Sequence, residues 1–405
     1  MRGAIHGGYV TMTLVKALFI TKDTDVLREG TAARSTLQQY ATLVEIAFVI
    51  VLNDRRDRHE MQKVSETLWI FPTNSWKWWT SPFDARRVAR KELWFQRSFQ
   101  TELIVALDPA ESALAGWLIQ RFARRPLAIE IMQDIFSRLY TAGSTANLLR
   151  SDIARFVLPY AQSIRVGSEN IRASLFKVSP ILAEGSFLLP RFIDMEQLIA
   201  EPIRADLHKK YPAFKFIILM VTPLVSASNV ELALHVLKDI LQSYGRVGLI
   251  VVGEGKDRER LFSLAQSLGI AEHVVFEHLS ENLSSYYKTA NLFLVTAVDE
   301  SYGDTLVDAA GNGCAIVTTK VGVASTIIEH GDSGFLCDPD HPETFVTSIL
   351  SVINNPGVRA RLRVNSALFL ARSVAGGKEG YMQTLKRSWE KTVSPTAEPE
   401  ESSPV

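Results

Sequence analysis

The sequence lacks two features that would each have pointed to a particular class of protein. Its 405 residues include two cysteines, Cys314 and Cys337, too few to define a disulfide framework in a chain of this length. Lys plus Arg and Asp plus Glu both number 44, so the basic excess that general nucleic-acid binders carry is missing. These absences favour a reducing, cytoplasmic setting and argue against a nucleic-acid partner.

A third absence concerns long apolar runs. The most apolar stretches, residues 46–52 and 216–221, are far shorter than the roughly 20 residues that a membrane-spanning helix needs. Residues 1–16 contain scattered glycines and no apolar run of the length typical of a secretion signal. The sequence therefore predicts neither a membrane span nor an exported protein.

The sequence does contain a regular alternation of predicted strands and helices. Short β-branched runs alternate with helical patterns, which predicts parallel sheets covered by helices. The predicted strands are residues 16–21, 45–52, 67–71, 103–107, 127–131, 163–166, 216–221, 247–252, 274–277, 292–295 and 315–318. The predicted helices between them include residues 111–122, 230–243, 256–268 and 305–312. The fold class is therefore α/β, with two doubly wound Rossmann-like domains facing a central cleft where a ligand would bind.

The predicted domain boundaries lie where this alternation of strands and helices is interrupted. Residues 188–213 contain three prolines and no clear period, so we interpret them as the linker. We predict an N-terminal domain over residues 1–195 and a C-terminal domain over residues 196–375. A helix over residues 376–393 would pack back toward the N-terminal domain, with Tyr381, Leu385 and Trp389 on one side. Residues 394–405, rich in Pro, Ser and Glu, are predicted to be a disordered tail.

The segment from Glu300 to Asp308 follows a predicted strand and opens a helix. Gly303 permits a sharp turn, and the unpaired amides at the start of the helix can bind an anion. Carboxylates on either side, Glu300 and Asp308, would repel phosphate and suit hydroxyl groups. A ligand with a diphosphate between two polyols, which is a sugar nucleotide, fits this order. The alternative is that the two acids only cap and solubilise the helix. The amides concerned belong to Asp304, Thr305 and Leu306.

Glycines on both sides of this segment extend the pattern. A predicted strand ends in the turn Gly253-Glu254-Gly255 before the next helix, although a lone Gly-x-Gly is weak evidence for a phosphate site. Downstream come the pair Gly311 and Gly313, then Gly322, then residues 329–336.

Taken together, residues 216–371 resemble the C-terminal domain of the retaining family-4 glycosyltransferases, which have the two-lobed GT-B architecture. The resemblance extends more weakly into the first half, through Asp108-Pro109, residues 111–122, Asp134 and residues 166–169. Residues 189–194 resemble the hinge entry of that family.

The resemblance implies specific roles. Glu300 would contact the donor sugar and act in catalysis, and Asp308 would hold the ribose hydroxyls of the nucleotide. The amides after Gly303 would face the donor, and the turn with Gly253 and Gly255 would lie at the nucleotide. His278, which follows the strand 274–277, lies where the family meets the base. No cofactor and no metal ion are expected, because cationic side chains and helix dipoles take up the charge of the departing diphosphate.

The sequence departs from the family pattern where the donor diphosphate is bound. The family usually has Gly-Arg-Leu and then Lys-Gly after the first strand of this domain, whereas this chain has Thr222-Pro223-Leu224 and then Ser228-Asn229. Both cations are absent from the aligned positions. Lys256 and Lys320 are candidates to replace them, although nothing in the sequence requires it. Asp308 stands where the family usually has Glu, which is one methylene longer.

In the first half, two residues are tentative site candidates. Residues 30–34 are all that represents the family's glycine-rich N-terminal loop, and Arg34 at their end is a candidate phosphate contact or an exposed helix arginine. Asp134 is retained on the loop after strand 127–131, but the His that the family often has there is missing.

Residues 76–95 combine tryptophans with a basic helical stretch. Such a segment can lie on a membrane surface, where anionic lipids attract the cations. The alternative is that the tryptophans pack on the N-terminal sheet while the arginines are solvated.

The predicted function is that of a glycosyltransferase, which moves a sugar from a nucleotide-diphosphate sugar to an acceptor hydroxyl with retention. The acceptor would be a surface polysaccharide or a lipid-linked glycan, bound by the N-terminal domain, and the protein would be cytoplasmic or peripheral at the inner face of the membrane. An impaired paralogue that serves as a binding or assembly protein is the alternative. A nucleotide-sugar epimerase of the same shape fits the Glu300 segment less well.

Overall fold

The computed structural model describes residues 16–95, 100–278, 283–299, 302–373 and 377–394. A first sheet has eight strands in the order β3-β4-β2-β1-β5-β6-β7-β8. Strand β3 runs antiparallel to β4 at one edge, whereas β1 pairs in parallel with both β2 and β5. The strands are β1 (Lys16–Thr21), β2 (Ile46–Val51), β3 (Gln62–Lys63), β4 (Leu68–Pro72), β5 (Leu103–Ala106), β6 (Leu127–Ile131), β7 (Ser163–Val166) and β8 (Phe187–Leu188).

A second sheet has six strands, all paired in parallel, in the order β11-β10-β9-β12-β13-β14. The strands are β9 (Phe216–Val221), β10 (Val247–Val252), β11 (Val274–Glu277), β12 (Leu292–Val295), β13 (Ile316–Thr319) and β14 (Phe335–Cys337). The order reverses between β9 and β12, as in doubly wound folds. The predicted class, α/β with two Rossmann-like domains, is confirmed.

Helices connect the strands of both sheets. A π-helical segment, Ala89–Phe95, directly follows the helix Ser81–Val88. The helices are α1 (Ala32–Ala41), α2 (Ser81–Val88), α3 (Glu111–Ala123), α4 (Arg138–Gly143), α5 (Thr145–Val157), α6 (Glu169–Val178), α7 (Pro180–Glu184), α8 (Met195–Ala200), α9 (Leu207–Lys210), α10 (Val230–Leu241), α11 (Arg258–Ser267), α12 (Leu283–Thr289), α13 (Asp304–Gly311), α14 (Ala324–Ile327), α15 (Pro342–Asn354), α16 (Pro356–Ser373) and α17 (Gly377–Val393).

By compactness the chain divides into two units. Unit 1 comprises Met1–Glu130, Asp152–Ile164 and Met382–Val405, and unit 2 comprises Ile131–Ser151 and Arg165–Tyr381. Within unit 1, the Trp389 ring of α17 lies 5.4 Å from Phe19 and 5.6 Å from Tyr40, measured between ring centroids. The boundaries predicted at residues 195 and 375 stay predictions. The tail from residue 395 lies outside the described residues.

The core of unit 2 explains why its strands read as unbroken apolar runs. Successive side chains of a strand point to opposite faces of the sheet. In β9, Phe216, Ile218 and Met220 pack into a cluster on one face with residues of α10 and α15. Ile217, Leu219 and Val221 pack into a second cluster with residues of α12 and α13. Because helices cover both faces, no position of this strand favours a polar residue.

Residues 188–213, interpreted as the linker, contain regular structure, and their role as a linker stays a prediction. Two short helices, α8 and α9, interrupt the segment. The Asp206 side chain caps α9 by accepting a hydrogen bond from the amide of His208. The amide of Leu207 donates to Thr289 Oγ1 at 3.2 Å, and the Leu207 side chain is fully buried. A local cap and a contact with Thr289, which is distant in sequence, therefore stabilise α9.

Candidate functional site

Three of the predicted site segments follow strands of the second sheet. The Gly253–Gly255 turn follows β10, His278 follows β11, and the Gly303–Asp308 segment follows β12. Because these strands are parallel, the segments lie at the same carboxyl edge, on either side of the point where strand order reverses. Ligands of open α/β sheets bind at such an edge.

The Gly253–Gly255 turn packs directly against the loop after β9. A Cβ atom on Gly253 would lie 2.0 Å from the Thr222 carbonyl oxygen, and one on Gly255 would lie 2.2 Å from that of Leu224. The Leu224 amide donates to the Glu254 carbonyl at 2.8 Å. Any side chain at these two positions would collide with the neighbouring backbone, which is a structural reason for glycine there. The role of Gly253 and Gly255 in binding a nucleotide stays a prediction.

Polar groups of the loop after β9 have hydrogen-bond partners both within the loop and on neighbouring segments. Ser228 is 6% exposed, and its Oγ donates to the Pro223 carbonyl at 2.6 Å. Thr296 Oγ1 donates to the Asn229 carbonyl at 2.9 Å. Because Pro223 and Ser228 carry no charge, the loop presents no cation at these positions. Lys256 and Lys320, the suggested replacements, have exposed side chains.

His278 lies beside the glycine turn. Its Nδ1 is 3.0 Å from Glu254 Oε1, and both side chains are largely exposed. The ends of β10 and β11 are thus joined by a polar pair that a ligand at this edge could reach.

Gly303 begins the helix that carries the predicted acidic motif. Its backbone is left-handed, with φ 93° and ψ 44°, which glycine adopts at little cost. The Val307 amide donates to the Gly303 carbonyl at 3.0 Å. The earlier amides, those of Asp304, Thr305 and Leu306, have no acceptor within the helix.

Asp308 lies one turn inside α13 and is partly buried. Burial raises the pKa of this carboxyl to about 6, and the negative charges of Asp304 and Glu201 add to the effect. No hydrogen bond reaches the carboxylate from the described part of the chain. Among the described residues, the group is thus left as an open acceptor near the helix start. Glu300, the predicted catalytic residue, lies outside the described residues.

Tyr302 is a buried side chain of the motif that sequence reasoning missed. It is 3% exposed, and its hydroxyl accepts a hydrogen bond from the Arg191 amide at 2.9 Å. Burial raises the pKa of the phenol to about 12. Its carbonyl accepts from the Val323 amide at 2.7 Å, and a Cβ on Gly322 would lie 2.3 Å from that carbonyl oxygen.

Arg191 is a second residue that sequence reasoning missed. Its guanidinium carbon lies 5.1 Å from the centroid of the Tyr302 ring, and its Nη1 lies 3.0 Å from Asp304 Oδ1 and 3.3 Å from Oδ2. The only signal was its place just after Pro190, in the segment that resembles the family's hinge entry.

Asp134 joins the same unit as the motif. Its carboxylate accepts from Ser174 Oγ at 2.6 Å and from the Phe136 amide at 3.1 Å. Burial raises the pKa of the Asp134 carboxyl, and the charge of Asp299 adds to this rise. Asp299, next to Glu300, accepts from Ser137 Oγ at 2.8 Å. The loop after β6 is thus linked to the start of the motif.

Arg34 lies in unit 1 and is 5% exposed, so the alternative of an exposed helix arginine is wrong. Its Nη1 donates to the Val26 carbonyl at 2.7 Å and to Gln62 Oε1 at 2.8 Å. These hydrogen bonds occupy the Arg34 guanidinium, which is the group that would contact a phosphate. The phosphate contact stays a prediction.

The aromatic and basic stretch near residue 76 is largely on the surface. Trp76, Trp79 and Phe83 are 56%, 51% and 59% exposed. The Lys77 amine lies 5.6 Å from the centroid of Trp76 and 5.8 Å from that of Trp79. The alternative that these tryptophans pack on the sheet is therefore wrong for Trp76 and Trp79.

Among the residues that the structure describes, no helix combines the length and apolar character that crossing a bilayer requires. No group of three or more His, Cys, Asp or Glu side chains among them is arranged to hold a metal ion.

Comparison with known proteins identifies part of unit 2. Residues 204–368 match the family model described as glycosyl transferases group 1. An uncharacterized glycosyltransferase of Haemophilus influenzae is 28% identical over 152 residues, which are 37% of this chain and 43% of that protein. The chain thus spans less than half the length of the curated relatives that it matches.

Solved structures match almost the whole chain. HepE of Anabaena, in complex with UDP, superposes with a TM-score of 0.71 at 18% identity, covering 92% of this chain and 99% of that one. Sucrose-phosphate synthase of Thermosynechococcus elongatus superposes with a TM-score of 0.74 at 13% identity, covering 94% and 100%. At these identities the likeness establishes the fold, which is GT-B.

Proposed function

We propose that this protein is a glycosyltransferase that takes a sugar from a nucleotide-diphosphate sugar bound to unit 2. The observation that carries the proposal is the gathering of the turn after β10, His278, the α13 amides and Asp308 at one sheet edge. This edge belongs to the part of the chain that matches glycosyl transferases group 1. The UDP in the complex of the GT-B relative HepE supports a nucleotide as the ligand.

In this proposal each part of the donor has a matching group. The Asp308 carboxylate accepts hydrogen bonds from the ribose hydroxyls, since no described residue already donates to it. The amides after Gly303 face the diphosphate, where the helix dipole favours negative charge. Glu300 contacts the sugar, as the family resemblance implies, and His278 lies toward the base.

The proposed transfer proceeds with retention and needs no metal ion. The bond between the anomeric carbon and the diphosphate oxygen breaks, and a bond to the acceptor oxygen forms on the same face of the sugar. The acceptor hydroxyl proton passes to the departing diphosphate. A surface polysaccharide or lipid-linked glycan is the proposed acceptor.

A second candidate is an impaired paralogue that binds donors without turnover. The loop after β9 favours this second candidate, because Pro223 and Ser228 supply no cation. Ser228 is also buried, and its hydroxyl donates to the Pro223 carbonyl. Loss of charged contacts to a developing diphosphate costs a few kcal/mol each in comparable sites, on the order of 10²–10³ in rate.

Calorimetry with a panel of UDP- and GDP-sugars separates these candidates from other functions. We expect at least one donor to bind, and Asp308→Ala to weaken it, whereas Asp239→Ala, which removes an exposed carboxylate on α10, should not. Binding followed by sugar transfer supports the enzyme, and Glu300→Ala should then abolish transfer with the fold intact. Binding without transfer or hydrolysis supports the paralogue, and failure of every donor to bind contradicts both.

We further propose that the protein contacts the inner face of the membrane through Trp76, Trp79 and Phe83. Indole rings favour the membrane interface, and Lys77 beside them suits anionic headgroups. Sedimentation with phosphatidylglycerol vesicles should recover the wild type, and Trp76→Ala with Trp79→Ala should lower the bound fraction. Phe262→Ala, at a 49% exposed aromatic in unit 2, is the control. Equal recovery of all variants would refute the contact.

A further inference from the structure

The loop after β9 places no cation at positions 223 and 228 of the proposed donor site, where the resemblance leads us to expect two. A departing nucleoside diphosphate carries negative charge that a positively charged group must offset. Pro223 and Ser228 provide none, and the Ser228 hydroxyl already donates its hydrogen bond to the Pro223 carbonyl. The question is therefore which other cation of unit 2 reaches the motif.

Arg191 is held at the motif by fixed neighbours. Arg165, 2% exposed, donates through Nε to the Leu189 carbonyl at 2.9 Å and through Nη2 to the Pro190 carbonyl at 2.9 Å. The Tyr302 hydroxyl accepts from the Arg191 amide at 2.9 Å. The carbonyls of Leu189 and Pro190 and the amide of Arg191 are thus all hydrogen-bonded, so the backbone that leads into Arg191 is held in place.

The guanidinium of Arg191 is oriented but open to a ligand. It stacks on Tyr302 and holds both oxygens of Asp304, yet the two side chains are 49% and 63% exposed. An exposed ion pair of this kind is weak, so another anion can replace the carboxylate. Phosphate oxygens match the planar fork of arginine as carboxylate oxygens do.

We infer that Arg191 binds the donor diphosphate and that the diphosphate displaces Asp304 from it. The inference rests on the proposed function and adds to it a binding residue and a competing carboxylate. Asp304 holds Arg191 in place before the donor arrives. When the donor binds, the guanidinium turns toward the phosphates, and the Asp304 carboxylate is released to solvent.

Calorimetry with a nucleoside diphosphate and its nucleoside tests this exchange. The probe is UDP with uridine, or GDP with guanosine, whichever diphosphate the wild type binds. Arg191→Gln should weaken the diphosphate roughly 10- to 100-fold and leave the nucleoside unchanged, because only the phosphates meet Arg191. Asp304→Asn keeps its amide but loses the competing charge, so it should tighten the diphosphate severalfold.

Controls separate the possible failures. Arg260→Gln breaks an ion pair with Glu231 of similar exposure in the same unit, and it should bind like the wild type. A wild type that binds neither UDP nor GDP overturns the proposed function. A wild type that binds, beside an Arg191→Gln variant that binds equally well, overturns only the role of Arg191. Equal loss of diphosphate and nucleoside binding in Arg191→Gln also overturns it, since that pattern indicates a structural effect.

Discussion

Replacing Asp308 with Asn should make the protein more stable and its donor site worse. Burial moves the pKa of this carboxyl from 3.8 to about 6, a rise of roughly two units. At 1.36 kcal/mol for each unit, holding the charge in the folded chain costs about 3 kcal/mol at most. Asn has nearly the same shape and carries no charge, so it avoids this cost.

The sign of the pH dependence follows from proton binding. Between pH 3.8 and about 6 the folded chain holds a proton on Asp308 that the unfolded chain has lost. Stability from this group therefore falls as the pH rises through about 6. The cost is fully present at pH 8 and about half as large at pH 5.

Differential scanning calorimetry at pH 5 and pH 8 measures this difference. For a domain of this size, about 1 kcal/mol shifts the melting temperature by roughly 2–4 °C. Asp308→Asn should melt several degrees above the wild type at pH 8, with a smaller gain at pH 5. Asp239→Asn, at an exposed carboxylate of α10, is the matched control and should show no such trend. A variant that melts below the wild type at pH 8, or a gain that does not depend on pH, would refute the reasoning.

Two further substitutions test how the motif is held. Gly322→Ala places a Cβ 2.3 Å from the Tyr302 carbonyl oxygen at φ 53°, where a side chain costs about 1–2 kcal/mol before any clash. Its denaturation midpoint should fall clearly, and an unchanged midpoint would contradict the observed packing. Tyr302→Phe leaves the Arg191 amide without its acceptor and should cost about 1–3 kcal/mol in urea unfolding, with no loss if the hydrogen bond is unimportant.

Most of the second sheet could be predicted because its strands carry their own signal. The predicted bounds of β9, β10, β11 and β12 agree with the structure. Burial on both faces makes these strands short apolar runs, which are visible without knowledge of their partners. The helix of Gly377–Val393 was predicted for a similar reason, since Tyr381, Leu385 and Trp389 are all buried.

The remaining features depend on contacts between residues far apart in the chain. Arg191 meets Asp304 across 113 positions, and Arg34 meets Gln62 across 28. Nothing local to an arginine shows whether it will be buried on a glutamine or stacked on a tyrosine. The helices α8 and α9 are four to six residues long, too short for a periodic pattern to appear.

A crystal structure of the protein with bound UDP would test the central claim most directly. We predict that the nucleotide lies at the carboxyl edge of β9, β10, β11 and β12, with its ribose hydroxyls at Asp308 and its phosphates at the start of α13 and at Arg191. UDP bound elsewhere, or bound at this edge with its ribose away from Asp308, would contradict the account.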